Sequence, residues 1–197
     1  MPSRFLPRVA TIAVAGLALH ASSAMAGQRV AVEGSPITVE VPAGWIVAPV
    51  SSSVPQLTLN LCDPLVREGC LRRGEMSVEW LLEARAPASL DAVFAQAQAA
   101  YAQALPDRRI AAPRRLTSAG RAAVESSAIG RATYDYVGGG GSTVPEGYLS
   151  VTLQDGASFY RCAAISQPDH VADLRADLIE FCNSIQINGS SSQSGQQ

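Results

Sequence analysis

The glutamates Glu75, Glu79 and Glu83 follow one another at four-residue intervals and are the best candidates in this chain for acid–base chemistry. On a β-strand, even spacing places side chains on one face, and paired carboxylates are the groups that cleave glycosidic bonds. Apolar residues alternate with these glutamates, which predicts that their face is turned to solvent. The spacing supports an acid-residue-dependent hydrolase as an alternative function, with Glu79 as the residue to test.

Other catalytic and metal-binding chemistries find little support. His20 falls in the N-terminal segment treated below, which leaves His170, beside Asp169 and Asp173. The chain has no lysine for a Schiff base or a P-loop, and no G-x-S-x-G motif to carry a nucleophilic serine. Zinc sites need clustered histidine and cysteine, and calcium loops need D-x-D-x-D-G, and neither pattern occurs. We predict no enzyme activity, no catalytic residue, no cofactor and no bound metal.

The first 26 residues have the pattern of a secretory signal peptide. Arg4 and Arg8 precede an apolar run over residues 9–19, and an A-x-A site ends at Ala26. The run is shorter than the ~20 apolar residues that span a bilayer. We therefore expect cleavage before Gly27, export to the periplasm, and no stable membrane anchor.

The rest of the chain predicts one domain and a tail. Residues 27–187 are enough for a single core, and the apolar content of the chain, 47%, is ordinary for a globular protein. Residues 188–197 have no apolar side chain and are expected to be disordered. The net charge of −2 gives no support for nucleic-acid binding.

Four cysteines remain after the signal: Cys62, Cys70, Cys162 and Cys182. An even number in an exported chain indicates disulfides. Three pairings are possible, and we favour Cys62–Cys70 and Cys162–Cys182. The first pair flanks a short polar loop, and the second joins a predicted strand to the end of a predicted helix.

Periodicity in the sequence places strands, helices and turns along this domain. Residues 89–105 form one apolar stripe at helical spacing, with Ser89 as N-cap. A second helix is predicted at about residues 169–181, and a flexible loop at 138–145. Ala119-Gly120 and Asp155-Gly156 indicate tight turns. Alternating apolar residues predict strands at about 37–41, 112–118, 121–129, 131–137, 147–154, 157–165 and 184–187, and a hairpin over 56–84.

The order of these elements, with two short motifs, resembles the PsbP/DcrB-like family. An early strand leads into Val41-Pro-Ala-Gly-Trp45, and the last helix runs into Phe-Cys-Asn-Ser-Ile-Gln-Ile at residues 181–187. The resemblance covers roughly residues 30–187. It implies an α+β fold in which an antiparallel sheet meander is flanked by helices in an α/β/α sandwich. The family has no shared catalytic residue set, and its members are mostly accessory, chaperone-like or binding proteins.

The resemblance implies a non-enzymatic periplasmic protein that acts through protein–protein contacts in the cell envelope. Relatives that work beside type VI secretion effectors leave a periplasmic immunity protein as an alternative. Arg67, Arg72 and Arg73 surround the proposed Cys62–Cys70 loop. Guanidinium groups bind carboxylates with two N–H groups and are enriched at interfaces, and a disulfide lowers the ordering cost of binding. These arginines are the predicted binding site for another envelope or secreted protein, against the alternative that they are solvated surface charge.

Overall fold

A computed structural model describes residues 27–48, 54–62, 72–83, 85–104, 110–135 and 140–188 of the chain. Strands and two α-helices make up most of these residues, with a short 3-10 helix at Val171–Leu174 before the second α-helix. The described elements are β1 (Arg29–Ala31), β2 (Ile37–Glu40), β3 (Trp45–Val47), β4 (Gln56–Cys62), β5 (Arg72–Leu81), α1 (Leu90–Ala102), β6 (Arg114–Ser118), β7 (Arg121–Asp135), β8 (Gly141–Asp155), β9 (Ser158–Ser166), α2 (Arg175–Asn183) and β10 (Gln186–Ile187). The predicted signal peptide and the predicted C-terminal tail from residue 189 lie outside the described residues.

The strands form two antiparallel sheets. The larger sheet has seven strands in the order β3-β4-β5-β9-β8-β7-β6, and the smaller has the order β1-β2-β10. Neighbouring strands are consecutive along the chain except at two pairings, β5 with β9 in the larger sheet and β2 with β10 in the smaller. The helices lie on opposite faces of the larger sheet, since α2 packs on the face of the main apolar core and α1 packs on the other. The α+β sandwich expected from the sequence is confirmed.

The face of the larger sheet under α2, here the α2 face, carries the main core. Apolar side chains of β4, β5, β8 and β9 alternate onto this face and meet α2 and β2. Trp45, which ends the V-P-A-G-W motif, is buried there, and its indole N–H donates to Asp177 Oδ2 of α2 at 2.9 Å. The motif therefore ties β3 to the last helix, and Gly44 before it adopts a φ of +83° in the turn.

The opposite face, here the α1 face, has a smaller core. Leu90 of α1 is buried with Leu81, Val124 and Phe159 of the sheet. The predicted N-cap is confirmed, because the Ser89 side chain accepts a hydrogen bond from the backbone N–H of Ala92 at 3.1 Å. The apolar contacts involve the first half of the helix, and its second half lies over polar residues of the sheet.

Several boundaries differ from the sequence-based predictions; the second helix, predicted at about residues 169–181, is a 3-10 turn at Val171–Leu174 followed by α2 at Arg175–Asn183. β7 continues through Gly130, which pairs with Glu146 of β8, so the predicted break between 129 and 131 is wrong. The long pairing with β7 also makes residues 142–145 part of β8 instead of a loop. At the β8–β9 turn, Asp155 pairs with Ser158, so the two-residue loop lies one residue later than predicted, at Gly156 and Ala157.

Candidate functional site

The second predicted disulfide is present in the structure. Cys162 of β9 is bonded to Cys182 of α2, with their Cα atoms 5.9 Å apart, and both residues are fully buried on the α2 face. The bond fixes the last helix to the middle of the larger sheet. Cys62 ends β4, but Cys70 lies outside the described residues, so the Cys62–Cys70 pairing stays a prediction.

The predicted arginine site is described in part. Arg67 lies outside the described residues, and Arg72 begins β5 with its side chain outside them. Arg73 is exposed and borders a wide groove of about 670 Å³, here the Arg73 groove. Leu61, Val144 and Ile165 contribute apolar surface to it, and Val144 is 37% exposed.

Charged and polar residues complete the Arg73 groove but do not form a hydrolytic triad. His170 and Asp173 border it, with His170 Nδ1 at 3.5 Å from Asp173 Oδ2, and both side chains are largely exposed. The Ser166 hydroxyl donates to the carbonyl oxygen of Arg73 at 2.9 Å. A serine nucleophile needs an imidazole to accept its proton. The Ser166 hydroxyl donates to a backbone carbonyl oxygen instead, so it does not have this arrangement.

Glu79 is buried, which corrects the prediction that its face is turned to solvent. Its side chain is 9% exposed because α1 and the segment before the helix cover the α1 face. Arg161, directly opposite on β9, donates to Glu79 Oε2 at 2.7 Å, and Arg85 forms an ion pair with Glu79 Oε1. Each carboxylate oxygen therefore contacts a guanidinium group.

A cavity of about 340 Å³ adjoins this cluster, between the second half of α1 and the sheet; it is here named the α1 cavity. The strand register explains its polar floor, since Arg161 pairs with Thr152, and Ser150 pairs with Ser126. The two serine hydroxyls are 3.0 Å apart. Its lining is Leu81, Arg85, Pro87, Val93, Gln96, Ala97, Ala100, Ser126, Ser127, Ala128, Tyr148, Ser150, Thr152 and Arg161.

The electrostatics of the α1 cavity keep its arginine charged and its tyrosine protonated. Burial raises the pKa of the Tyr148 hydroxyl, although the positive charge of Arg161 opposes this shift. Burial alone lowers the pKa of Arg161, but the negative charge that Tyr148 gains when it ionises and the hydrogen bond and charge of Glu79 outweigh it, so the net direction is upward. The cavity therefore presents a cation and neutral hydroxyl groups.

A second buried carboxylate lies on the α2 face. Glu125 of β7 has a side chain 2% exposed, and Arg175 of α2 holds it with two N–H groups, at 2.8 Å to Oε1 and 2.7 Å to Oε2. Arg114, directly opposite on β6, adds contacts of 3.0 to 3.2 Å. Burial raises the pKa of the Glu125 carboxyl, and the charge of Arg114 and its hydrogen bond oppose this shift. The cluster joins β6 and β7 to α2, so we interpret it as a clamp between the sheet and the helix.

Sequence reasoning missed both arginine–glutamate clusters. Glu79 and Arg161 are 82 positions apart, and Glu125 and Arg175 are 50 apart, so no local spacing links them. Arg161 did carry one signal, because it interrupts an apolar strand over residues 159–165. A charge in such a strand needs a buried partner.

Within the described residues, no group of three or more histidine, cysteine, aspartate or glutamate side chains is placed to hold a metal ion. In the same part of the chain, no helix combines the length and apolar character needed to cross a membrane.

Comparison with known proteins identifies structural relatives only. No family model and no curated protein sequence matches the chain. Among solved structures, a protein from Bacteroides thetaiotaomicron VPI-5482 aligns with a TM-score of 0.51 at 8% identity, over 85% of this chain and 51% of that one. The chain thus spans about half the length of that protein.

Two further structures carry family names. Cyanobacterial PsbP from Synechocystis sp. PCC 6803 aligns with a TM-score of 0.44 at 12% identity, over 81% of this chain and 91% of that one. The Ran-binding protein Mog1p of Saccharomyces cerevisiae aligns with a TM-score of 0.48 at 12% identity, over 83% of this chain and 96% of that one. Both alignments have TM-scores below 0.5 at 12% identity, so they are likenesses of fold, and nothing further about this chain follows from them.

Proposed function

We propose that this chain is an exported, non-enzymatic binding protein that contacts another cell-envelope protein through the Arg73 groove and the arginines beside it. The observation that carries the proposal is the groove itself, about 670 Å³ in volume, with apolar walls and a charged rim at the place where β4 ends and β5 begins. Exposed apolar surface framed by charge is typical of protein interaction sites.

The state of Glu79 supports binding over hydrolysis. A general acid or base must exchange a proton with substrate, and a nucleophilic carboxylate must reach it with a free oxygen. Both oxygens of Glu79 contact arginines instead, and Glu79 is not among the residues that line the α1 cavity. The arrangement suits a structural ion pair beneath a binding surface.

The position of the groove also fits the predicted loop. Leu61 and Arg73 both border it, and they lie immediately before and after the segment that would carry the Cys62–Cys70 bond. Arg67 and Arg72 belong to that segment or its end. A protein partner bound in the Arg73 groove would place an apolar side chain between Leu61, Val144 and Ile165, and a carboxylate against Arg73.

Export is supported by the buried disulfide, because such bonds persist in oxidising compartments. The periplasm, with cleavage before Gly27, is the proposed location. N-terminal sequencing of the protein recovered from the periplasm tests it; an intact Met1 on cytoplasmic material would contradict export.

Site-specific photo-crosslinking tests the binding surface. A photoreactive residue at Val144, in the Arg73 groove, is expected to capture a discrete envelope protein in living cells. The same residue at Gln98, an exposed position of α1 away from the groove, is the matched control and is expected to capture none. Equal yields from the two positions, or none from Val144, would place the interface elsewhere.

A further inference from the structure

The α1 cavity contains more positive than negative charge. Arg85 and Arg161 line it, Glu79 contacts both, and no other described residue of its lining is charged. Two guanidinium groups and one carboxylate leave one positive charge beside a partly enclosed space. A buried or half-buried cation is stabilised by an opposite charge, so the cavity favours an anionic occupant.

Hydrogen-bond donors remain for that occupant. A guanidinium group has five N–H donors, and the described contacts with Glu79 involve one terminal nitrogen of each arginine. The hydroxyl groups of Ser126, Ser150 and Thr152 form the adjoining floor. A carboxylate that lies between the arginines and this floor can accept several charge-assisted hydrogen bonds.

The α1 side of the cavity is mostly apolar. Val93, Ala97 and Ala100 present alkyl surface from α1, beside the polar Gln96, and Leu81 adds apolar surface from the sheet. The volume, about 340 Å³, lies at the lower end of the range of small-molecule sites. An apolar wall opposite a cationic floor selects a molecule with an apolar body and a single anionic end.

We propose that the α1 cavity binds a small organic monoanion, with its carboxylate against Arg161 and Arg85 and its apolar body against α1. This site is distinct from the Arg73 groove, so the inference stands apart from the proposed protein-binding function. Every ligand of this proposed class has one carboxylate on a compact apolar group.

Benzoate and benzamide test this proposal directly, because they have nearly the same shape and differ in charge. Each is titrated into the isotopically labelled, disulfide-bonded protein, and backbone amide signals are followed by NMR. Benzoate is expected to shift the signals of Thr152, Arg161 and Ala97 saturably, with a Kd of about 1 mM, which is ordinary for so small a ligand. Benzamide is expected to bind at least about 10-fold more weakly, since it lacks the charge.

Two tryptophan variants locate the site. Ala100→Trp fills the cavity from an exposed helix position and is expected to weaken benzoate binding at least about 10-fold, whereas Gln98→Trp, outside the lining, leaves it unchanged. Arg73→Gln also leaves benzoate binding unchanged, which separates this test from that of the protein-binding groove. Equal affinity for benzamide and benzoate, equal binding by Ala100→Trp and wild type, or no saturable shift at about 20 mM benzoate, far above the expected Kd, would overturn the proposal.

Discussion

The two faces of the larger sheet use the same ion-pair arrangement for different purposes. On each face a buried glutamate pairs with the arginine directly opposite on the neighbouring strand, Glu125 with Arg114 and Glu79 with Arg161. A second arginine reaches each glutamate from outside the sheet, Arg175 from α2 and Arg85 from the segment before α1. One cluster is closed by a helix, and the other borders a cavity.

Geometry accounts for this difference. Glu125 receives paired N–H contacts from both arginines, and its side chain is 2% exposed. Glu79 receives one described contact at each oxygen, and its arginines line the α1 cavity. A carboxylate that two arginines contact through paired N–H groups holds two elements together, whereas one whose arginines line a cavity positions them for a ligand.

The largest effect is expected from the disulfide on the α2 face. Replacing both Cys162 and Cys182 with alanine should lower the free energy of unfolding by about 3 kcal/mol, as expected for a loop of 20 residues. Chemical denaturation of the variant and the wild type measures it. A loss below about 1 kcal/mol, far less than the loop-closure value, would mean that α2 is held by its apolar contacts alone.

Glu125→Gln should have the next largest effect. Removing one partner of a fully buried ion pair costs about 3–5 kcal/mol, and we expect less here, about 2–3 kcal/mol, because Arg114 and Arg175 are half-exposed and can be rehydrated. Glu40→Gln, in the exposed Arg29–Glu40 pair, is the control and should cost less than about 1 kcal/mol. Similar losses in the two variants would refute the clamp.

Glu79→Gln should cost less than Glu125→Gln, about 1–2 kcal/mol, since the Glu79 side chain is less deeply buried, at 9% against 2% exposed, and has fewer arginine contacts to lose. The same denaturation experiment ranks the two variants. A larger loss in Glu79→Gln would contradict the assignment of Glu125 as the structural clamp and of Glu79 as the group that positions arginines for a ligand.

The smallest effect concerns pH. Burial raises the pKa of Tyr148 above its ordinary value of 10.0, so above about pH 10 the unfolded chain loses this proton before the folded protein does. The free energy of unfolding should therefore fall as pH rises through this range, and Tyr148→Phe should reduce the slope. Tyr160, whose pKa is also raised by burial, serves as the internal comparison on the α2 face. An unchanged slope in Tyr148→Phe would show that the hydroxyl ionises alike in both states.

Local patterns in the sequence predict the elements better than the site. Ser89 and its apolar stripe identify α1, and the alternation of Leu57, Leu59 and Leu61 identifies β4, because both depend on neighbours along the chain. The sequence predicts a break in β7 at Gly130 because glycine has a low strand propensity. In the structure the pairing of Gly130 with Glu146 of β8 keeps the strand continuous. Glu79 was misassigned to solvent because burial of its face depends on where α1 packs, which no local pattern encodes.

The central claim is that the protein binds a partner at the Arg73 groove without acid catalysis. The most direct test compares the wild type and three glutamine variants in their affinity for the partner that crosslinking identifies. Arg73→Gln should raise the Kd at least about 10-fold, as expected for an arginine that pairs with a carboxylate of the partner. Arg115→Gln, an exposed arginine on β6 outside the groove, and Glu79→Gln should both bind the partner like the wild type. Wild-type affinity in Arg73→Gln, or loss of binding in Glu79→Gln at intact stability, would contradict the account.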